Sequence, residues 1–173
     1  LRSGAKVGDG IFVSGTIGDA ALGLILRSNS SLSCSSKGNS YCISRYRIPR
    51  PRIDLGLALG EVASAAMDIS DGLFQDLNHP CGASDVGASV WANKIPLSKE
   101  VNAFVTKNKF SIEQVITGGD DYELIFTAPV NKENSIFNMA RVTKTRITRI
   151  GTVQSGRGIS IFDENGDIIP VVK

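Results

Sequence analysis

Two short acidic segments contain the residues whose types and spacing suit phosphate and metal chemistry. The first is Asp68-Ile69-Ser70-Asp71-Gly72, where a strand is predicted to end and a helix to begin. Asp68 and Asp71 offer hard oxygen ligands, and Mg²⁺ needs only one or two carboxylates when a nucleotide supplies further oxygens. Ser70 and the amides of a helix start can bind phosphate. A helix N-cap with a nearby surface acid explains these residues equally well, so both interpretations stay open.

The second acidic segment is Gly118-Gly119-Asp120-Asp121-Tyr122-Glu123-Leu124. A glycine-aspartate turn between two strands accounts for its glycines without any ligand. That turn does not account for acids at both Asp121 and Glu123, which are expected to share one face of a strand. Neither segment is a P-loop or a G-x-G-x-x-G element, so a nucleotide site here would be of another kind.

A basic stretch follows a polar one in the first third of the chain. Residues 28–44 are rich in Ser, Asn, Gly and Lys, which predicts a mobile loop. Four arginines then lie within eight residues, at Arg45, Arg47, Arg50 and Arg52. They can bind phosphate, although a solvated charged segment is the commoner interpretation. A further hypothesis is that this segment faces the acidic motifs across a cleft.

Alternating apolar patterns predict the elements that must position these residues. Strands are predicted at residues 11–14, at 67–70, at 86–91, at 114–117, at 122–127 and at 147–153, with a closing hairpin of 159–162 and 168–172 around Asn165-Gly166. Helices are predicted from Asp19, over 53–67, from Leu73 to just before Pro80, after Ser98 as an N-cap, and over 131–140. The fold class is therefore α+β, with a mixed β-sheet flanked by helices.

Composition excludes several classes of protein. The 173 residues carry a net charge of only +2, which does not favour a nucleic-acid partner, and no apolar run approaches the ~18 residues of a membrane span. Cys34, Cys42 and Cys81 contain no C-x-x-C pair, so reduced thiols in a cytosol are expected. The only histidine, His79, is expected at the surface or at a helix end. A chain that starts at Leu1, without methionine or a leader pattern, is expected to be a fragment.

Taken together, the motifs resemble one family, the thiamine-monophosphate kinases, in their C-terminal portion. This family belongs to a superfamily with aminoimidazole ribonucleotide synthetase and selenophosphate synthetase. The matching pieces occur in family order: Arg2-x-Gly4-Ala5, Gly8-Asp9, Ser14-Gly15-x-Ile17-Gly18-Asp19, Pro49-x-Pro51-Arg52, Ala66-Met67-Asp68-Ile69-Ser70-Asp71-Gly72-Leu73-x-x-Asp76-Leu77, Val86-Gly87-Ala88, Ile95-Pro96-Leu97-Ser98 and the second acidic segment.

The resemblance implies ATP- and Mg²⁺-dependent phosphorylation of thiamine monophosphate to thiamine diphosphate. Such a transfer relies on positioning and charge neutralisation, with no covalent protein nucleophile. Asp120 and Asp121 are expected to shape the substrate loop or to accept hydrogen bonds from residues that contact the ligands. The implied site residues are Asp68 and Asp71 as magnesium ligands, Arg2 and Ser70 on the ATP phosphates, and Glu123 on the thiamine phosphate.

The same resemblance implies that residues 1–173 are a C-terminal domain whose N-terminal, ATP-binding partner domain lies outside this chain. The full-length enzyme is expected to be a cytoplasmic homodimer without nucleic-acid or membrane partners, and the isolated chain to be inactive. The family's aromatic tail is absent after Lys173, and Asp85 stands where glycine is usual. Two alternatives stay open: another enzyme of the superfamily, such as the purine-synthesis cyclo-ligase, or a non-catalytic nucleotide- or metal-binding module.

Overall fold

A computed structural model describes residues 1–29, 32, 36–107 and 109–171. Its strands are β1 (Gly10–Ser14), β2 (Ala65–Asp68), β3 (Gly87–Trp91), β4 (Leu124–Ala128), β5 (Ile147–Gln154) and β6 (Gly158–Phe162). Its helices are α1 (Asp19–Ser28), α2 (Ser36–Arg47), α3 (Ile53–Leu59), α4 (Leu73–Ala83), α5 (Lys99–Thr106), α6 (Ile112–Thr117) and α7 (Glu133–Val142), with 3₁₀ turns at Ala92–Lys94 and Val130–Lys132.

The six strands form one sheet in the order β2-β4-β1-β5-β3-β6. Every neighbouring pair is antiparallel except β3 and β6, which run parallel. The sheet is therefore mixed, and the predicted α+β fold class is confirmed. No helix in the described part of the chain has the length and apolarity needed to cross a bilayer.

Both faces of the sheet are covered, which explains why Ile11, Phe12 and Val13 of β1 are apolar in succession. Ile11 and Val13 point into a core with the helices of one face, while Phe12 packs on the other face, where α3 and α7 lie. Phe12 stacks on Phe126 of β4, with ring centroids 5.3 Å apart. A strand buried on both faces shows a run of apolar residues in place of the alternation of a half-exposed strand.

Residues 36–47 form helix α2, so the prediction of a loop over 28–44 is wrong for this part; Cys34 and residues 30, 31, 33 and 35 lie outside the described residues. The polar composition predicted no core element. The helix is held by tertiary contacts instead, because Tyr41 donates a hydrogen bond to Asp19 and the Cys42 side chain is buried. Most helices in proteins depend on such packing more than on intrinsic propensity.

Two further element predictions are wrong. Residues 114–117 belong to α6, not to a strand: Ser111 accepts from the Gln114 amide and the Gln114 side chain accepts from the Ser111 amide, a capping box that starts a helix. The predicted helix over 53–67 ends at Leu59, and residues 65–68 form strand β2.

Helix α4 continues through Pro80 to Ala83, although a stop before Pro80 was predicted. Leu77, Pro80 and Cys81 are all buried and lie three and four residues apart, so continuing the helix keeps one apolar stripe on the core. His79 is exposed, as expected. The closing hairpin shortens to β6 and a single antiparallel bridge between Phe162 and Ile168; Val172 lies outside the described residues.

Candidate active site

The two acidic segments lie against each other at the ends of β2 and β4. These strands pair antiparallel with Asp68 opposite Leu124. The Ile69 amide donates to the Glu123 carbonyl at 2.8 Å, and the Tyr122 amide donates to the Ile69 carbonyl at 2.9 Å. The two acidic segments, residues 68–72 and 118–124, lie about fifty residues apart in the sequence but are joined by backbone hydrogen bonds. We call them the loop pair.

Close backbone packing locks the loop pair together. The Asp120 amide donates to the Ser70 carbonyl at 2.9 Å, and a Cβ on Gly119 would lie 2.4 Å from that same oxygen. Real Cβ atoms do not approach an oxygen so closely, hence only glycine fits at position 119 without a shift. This explains one of the two glycines that the sequence showed.

Asp76 organises the first acidic loop from within α4. Its Oδ2 accepts the amides of Ser70, Asp71 and Gly72 at 2.8, 2.9 and 3.1 Å. The side chain is buried, with 1% of the residue exposed. These three amides, which the sequence offered as phosphate donors, are therefore occupied by a carboxylate of the chain itself.

The predicted magnesium ligands face outward from this loop. Asp68 and Asp71 are both exposed, and Ser70 between them is half-buried. Within the described residues, no group of three or more acidic, histidine or cysteine side chains is arranged to hold a metal ion. Two accessible carboxylates fit Mg²⁺ only as a partial site, one that substrate phosphates and waters complete.

Arg2 lies in the segment that runs along β2. The amide of Ala66 donates to the Leu1 carbonyl at 2.9 Å, two residues before Asp68. The Arg2 side chain is exposed. The fold therefore brings Arg2 to the strand that carries Asp68.

Glu123 points away from the exposed acids and into the protein, where its side chain is fully buried. Its Oε2 accepts from the Ser14 hydroxyl at 2.5 Å and from Arg52 Nε at 2.7 Å. Its Oε1 accepts from Arg45 Nη2 at 3.0 Å and from Arg52 Nη2 at 2.6 Å. The Glu123 hydrogen bond to Arg52 raises the pKa of that guanidinium above its usual value.

The four arginines of the basic stretch differ in their exposure to solvent. Arg47 and Arg50 are exposed, whereas Arg45 is buried and Arg52 half-buried. A wholly solvated segment is therefore the wrong interpretation. The hypothesis of a basic segment that faces the acids across a cleft holds for Arg52, which lines one cleft with Asp68. Arg45 and Arg52 contact Glu123 directly.

The Asp121 carboxylate accepts hydrogen bonds from backbone amides at the N-terminus of α1. Its Oδ2 accepts the Gly18 amide at 2.6 Å and its Oδ1 accepts the Ala20 amide at 3.1 Å. Burial, with a smaller contribution from nearby Asp19, raises the pKa of the Asp121 carboxyl to about 7 despite these hydrogen bonds. Asp121 and Glu123 are both buried, but positive φ angles at Asp120 and Tyr122 show that this stretch is not the regular strand that was predicted.

A polar network continues from α1 to α2 beneath the loop pair. Asp19 Oδ2 accepts from Thr16 and from Tyr41, and lies 3.8 Å from Arg45 Nε. Burial and the Asp19 charge raise the pKa of the Tyr41 phenol to about 12. In the described residues, Asp19 Oδ1 and Arg45 Nη1 are buried with no hydrogen-bond partner.

A cleft of about 340 Å³ opens beside these contacts. Arg52, Asp68 and Tyr122 line it, with an apolar wall that includes Ile53 and Leu124. Sequence reasoning offered Arg52 to phosphate only as one of four arginines, and it assigned no role to Asp76. Both, however, belong to the motif pieces Pro49-x-Pro51-Arg52 and Leu73-x-x-Asp76, and that was the available signal.

Comparison with known proteins shows the family of this chain. Residues 6–164 match the family model of the AIR synthase related protein, C-terminal domain. The chain belongs to this family. A thiamine-monophosphate kinase from Escherichia coli K12 is 43% identical over 128 residues, which are 74% of this chain and 39% of the relative.

Solved structures extend the similarity of this AIR synthase-related domain to the whole fold. The thiamine-monophosphate kinase from Stenotrophomonas maltophilia K279a superposes with a TM-score of 0.86 at 35% identity, covering 97% of this chain and 53% of that one. AaThiL complexed with AMPPCP and TMP gives a TM-score of 0.81 at 36% identity, covering 97% and 51%. The chain thus spans about half the length of these proteins or less, and the resemblance drawn from the motifs is confirmed.

Proposed function

We propose that this chain is the C-terminal half of a thiamine-phosphate kinase, which phosphorylates thiamine monophosphate to thiamine diphosphate at the expense of ATP. The observation that supports this most is the loop pair, in which backbone hydrogen bonds join the Asp68 segment to the Glu123 segment. The similarity to thiamine-monophosphate kinases and to a complex with AMPPCP and TMP supports the choice of substrates.

Residues 1–173 act in this proposal as the C-terminal domain of a larger, homodimeric cytoplasmic enzyme. An N-terminal domain supplies the remaining nucleotide and metal ligands. The exposed, incomplete pair of carboxylates at Asp68 and Asp71 supports that division, because it offers only part of a metal site. The isolated chain is accordingly expected to show no turnover.

Each of the residues singled out above then has a role. Asp68 and Asp71 would hold Mg²⁺, which when bound neutralises charge on the transferred phosphate. Ser70 and Arg2 would contact the ATP phosphates, and Glu123 would serve the thiamine phosphate side. Asp76 keeps the Ser70 and Asp71 backbone fixed, so that the residues of the loop present their side chains outward.

No residue of the described chain is needed as a covalent nucleophile. The phosphate of the acceptor is itself the attacking group, and positioning with charge neutralisation provides the rate enhancement. The buried polar network under the loop pair supports positioning of this kind, since Glu123 and Asp121 are both fixed by hydrogen bonds.

The test is ATP-dependent formation of thiamine diphosphate by the full-length protein, measured beside Asp71→Asn. Product from the parent and a loss of about 100-fold or more in the variant are expected. Glu61→Gln, an exposed acid outside the site, is the matched control and should retain activity. A folded parent that forms no product with Mg²⁺ and ATP would contradict the kinase proposal. Turnover of aminoimidazole-type substrates would then indicate the cyclo-ligase, and ATP binding without transfer a binding module.

A further inference from the structure

Glu123 has no room for a ligand. Each of its two oxygens accepts two hydrogen bonds, and the donors are Ser14, Arg45 and Arg52. These four bonds fill the acceptor capacity of a carboxylate. The backbone closes the remaining side, because a Cβ on Gly15 would lie 2.1 Å from Glu123 Oε1. A substrate phosphate would also be repelled by this carboxylate. Direct contact between Glu123 and the thiamine phosphate therefore requires the cluster to break.

Arg52, unlike Glu123, reaches solvent and keeps hydrogen-bonding groups for a ligand. Its guanidinium binds Glu123 through Nε and Nη2 in a bidentate pair, and 25% of the side chain is exposed. A guanidinium carries five N–H donors, so three are left after the two that Glu123 accepts. Arginine held in this way is a preorganised donor for phosphate, because planar N–H groups match two phosphate oxygens.

The cleft beside Arg52 has the composition that a phosphorylated aromatic substrate needs. Arg52 supplies a cation, and Tyr122 with the apolar wall supplies contacts for an organic ring. Asp68 lines the same cleft, so a phosphate bound by Arg52 would face the residue proposed to hold Mg²⁺. This places the acceptor phosphate where the transfer must happen.

Arg45 explains why Glu123 stays fixed when Arg52 is engaged. It is buried, donates to Glu123 Oε1 at 3.0 Å and to the Asp121 carbonyl at 3.0 Å. Ser14 holds the other carboxylate oxygen and also accepts the Leu124 amide at 2.8 Å. Glu123 is thus tied to β1, α2 and the loop pair whether or not a ligand is present.

We propose that Arg52 is the residue of this chain that binds the phosphate monoester of the acceptor substrate, and that Glu123 acts on the substrate only by positioning Arg52. This inference rests on the proposed kinase function. It assigns Ser14 and Arg45 as supports of Glu123, and it gives the cleft of Arg52, Asp68 and Tyr122 to the acceptor.

The first experiment is steady-state kinetics of the full-length enzyme with Arg52→Lys, which keeps the charge beside Glu123 but loses the planar fork. The KM for thiamine monophosphate should rise by about tenfold or more, with the KM for ATP unchanged and kcat within a few-fold of the parent. Arg50→Lys, two residues earlier and exposed, is the matched control and should change neither constant. A rise in the KM for ATP alone would overturn the proposal by moving Arg52 to the nucleotide.

The second experiment tests whether Glu123 positions Arg52 or contacts the substrate itself. Glu123→Gln alone should raise the KM for thiamine monophosphate, and adding it to Arg52→Lys should add little, because both changes remove the same interaction. Additive effects of the two substitutions would show that Glu123 contacts the substrate independently and would overturn the positioning role.

Chemical modification of the unaltered enzyme covers the case in which a variant does not fold. Phenylglyoxal labelling read by mass spectrometry should show that thiamine monophosphate protects Arg52 while Arg50 stays reactive. Equal labelling of Arg52 with and without thiamine monophosphate, in an enzyme that makes thiamine diphosphate, would overturn the inference and leave the kinase function standing. An enzyme that makes no thiamine diphosphate at all would instead mark the failure of the proposed function.

Discussion

The backbone of Gly119 packs directly against the backbone of Ser70. The Gly119 Cα lies so close to the Ser70 carbonyl that a Cβ on Gly119 would be 2.4 Å from the Ser70 oxygen. The contact joins the two acidic segments at the point where the proposed ATP contact, Ser70, lies between Asp68 and Asp71. Any side chain at position 119 must therefore push the two loops apart.

Gly119→Ala is expected to cost about 1–3 kcal/mol of unfolding free energy, because the added methyl group overlaps a backbone oxygen that cannot move freely. Loss of thiamine diphosphate formation should accompany it in the full-length enzyme. Urea unfolding monitored by circular dichroism measures the first effect, and product formation the second.

Gly82→Ala is the matched control for that substitution. Gly82 lies in α4, and a Cβ there would meet nothing within 4 Å. Alanine should stabilise the helix by up to about 1 kcal/mol. Equal unfolding free energies for Gly119→Ala and the parent protein would show that the loop pair tolerates separation.

Asp76→Asn tests whether the first loop depends on one buried carboxylate. Asparagine keeps one oxygen but loses the charge that strengthens the three amide hydrogen bonds of Ser70, Asp71 and Gly72. A loss of about 1–3 kcal/mol is expected, together with faster hydrogen exchange at these three amides. Amide exchange followed by NMR measures the local effect directly.

The exposed acid Glu61 provides the control for Asp76. Glu61→Gln should change the unfolding free energy by no more than about 0.5 kcal/mol, because the side chain is in solvent. Unchanged exchange at Ser70, Asp71 and Gly72 in Asp76→Asn would show that the loop holds its shape without the carboxylate.

The fold was predictable where apolar patterning alone decides it. The runs around Phe12, Val90 and Ile150 gave strands that the structure contains. Helix α6 was missed because a four-residue segment with only two apolar residues, Val115 and Ile116, fits either element. Its capping box of Ser111 and Gln114 is the local signal that favours a helix here. Helix α2 had no such signal, because long-range contacts hold its polar residues.

The candidate site also contains a part that the sequence predicts and a part that only the fold brings together. Asp68, Ser70 and Asp71 lie in one short segment, so their proximity follows from the sequence. The cluster around Glu123 does not, because its partners Arg45 and Arg52 lie 78 and 71 positions away along the chain. Local charge suggested only that basic and acidic segments face each other. Burial of Arg45 depends on how α2 packs on α1, which no local pattern encodes.

Burial of Cys81 predicts a thiol that does not react in the folded protein. Cys81 is 2% exposed as a residue, and burial raises the pKa of its thiol to about 11, so little thiolate forms at pH 8. Iodoacetamide at pH 8 should leave Cys81 unmodified in buffer and modify it in urea, as read by mass spectrometry.

Ala83→Cys supplies the comparison, because position 83 is exposed in the same helix. The introduced thiol should be alkylated at least about tenfold faster than Cys81 in the folded protein. Similar rates at both positions would mean that α4 opens on the timescale of the labelling.

Asp121 predicts a pH dependence of stability with a definite sign. Its pKa of about 7 in the folded protein lies above the ~3.9 of an unfolded aspartate, so the folded state binds more protons between these values. The stabilising contribution of this group is complete below about pH 4 and is lost as pH rises through about 7. The unfolding free energy of the parent, relative to a variant without this carboxyl, should therefore fall across that window and level off above it.

Asp121→Asn provides that variant, since asparagine does not titrate. Its amide nitrogen must face the Gly18 or the Ala20 amide, both of which are donors, so the variant should be less stable at every pH. The difference between parent and variant should nevertheless shrink from pH 4 to pH 7. Asp120→Asn, in the same loop, should leave the slope that belongs to Asp121 in place. A carboxyl carbon titration of Asp121 by NMR gives an independent reading, and a midpoint near pH 4 would show that the amides of α1 outweigh the burial of the charge.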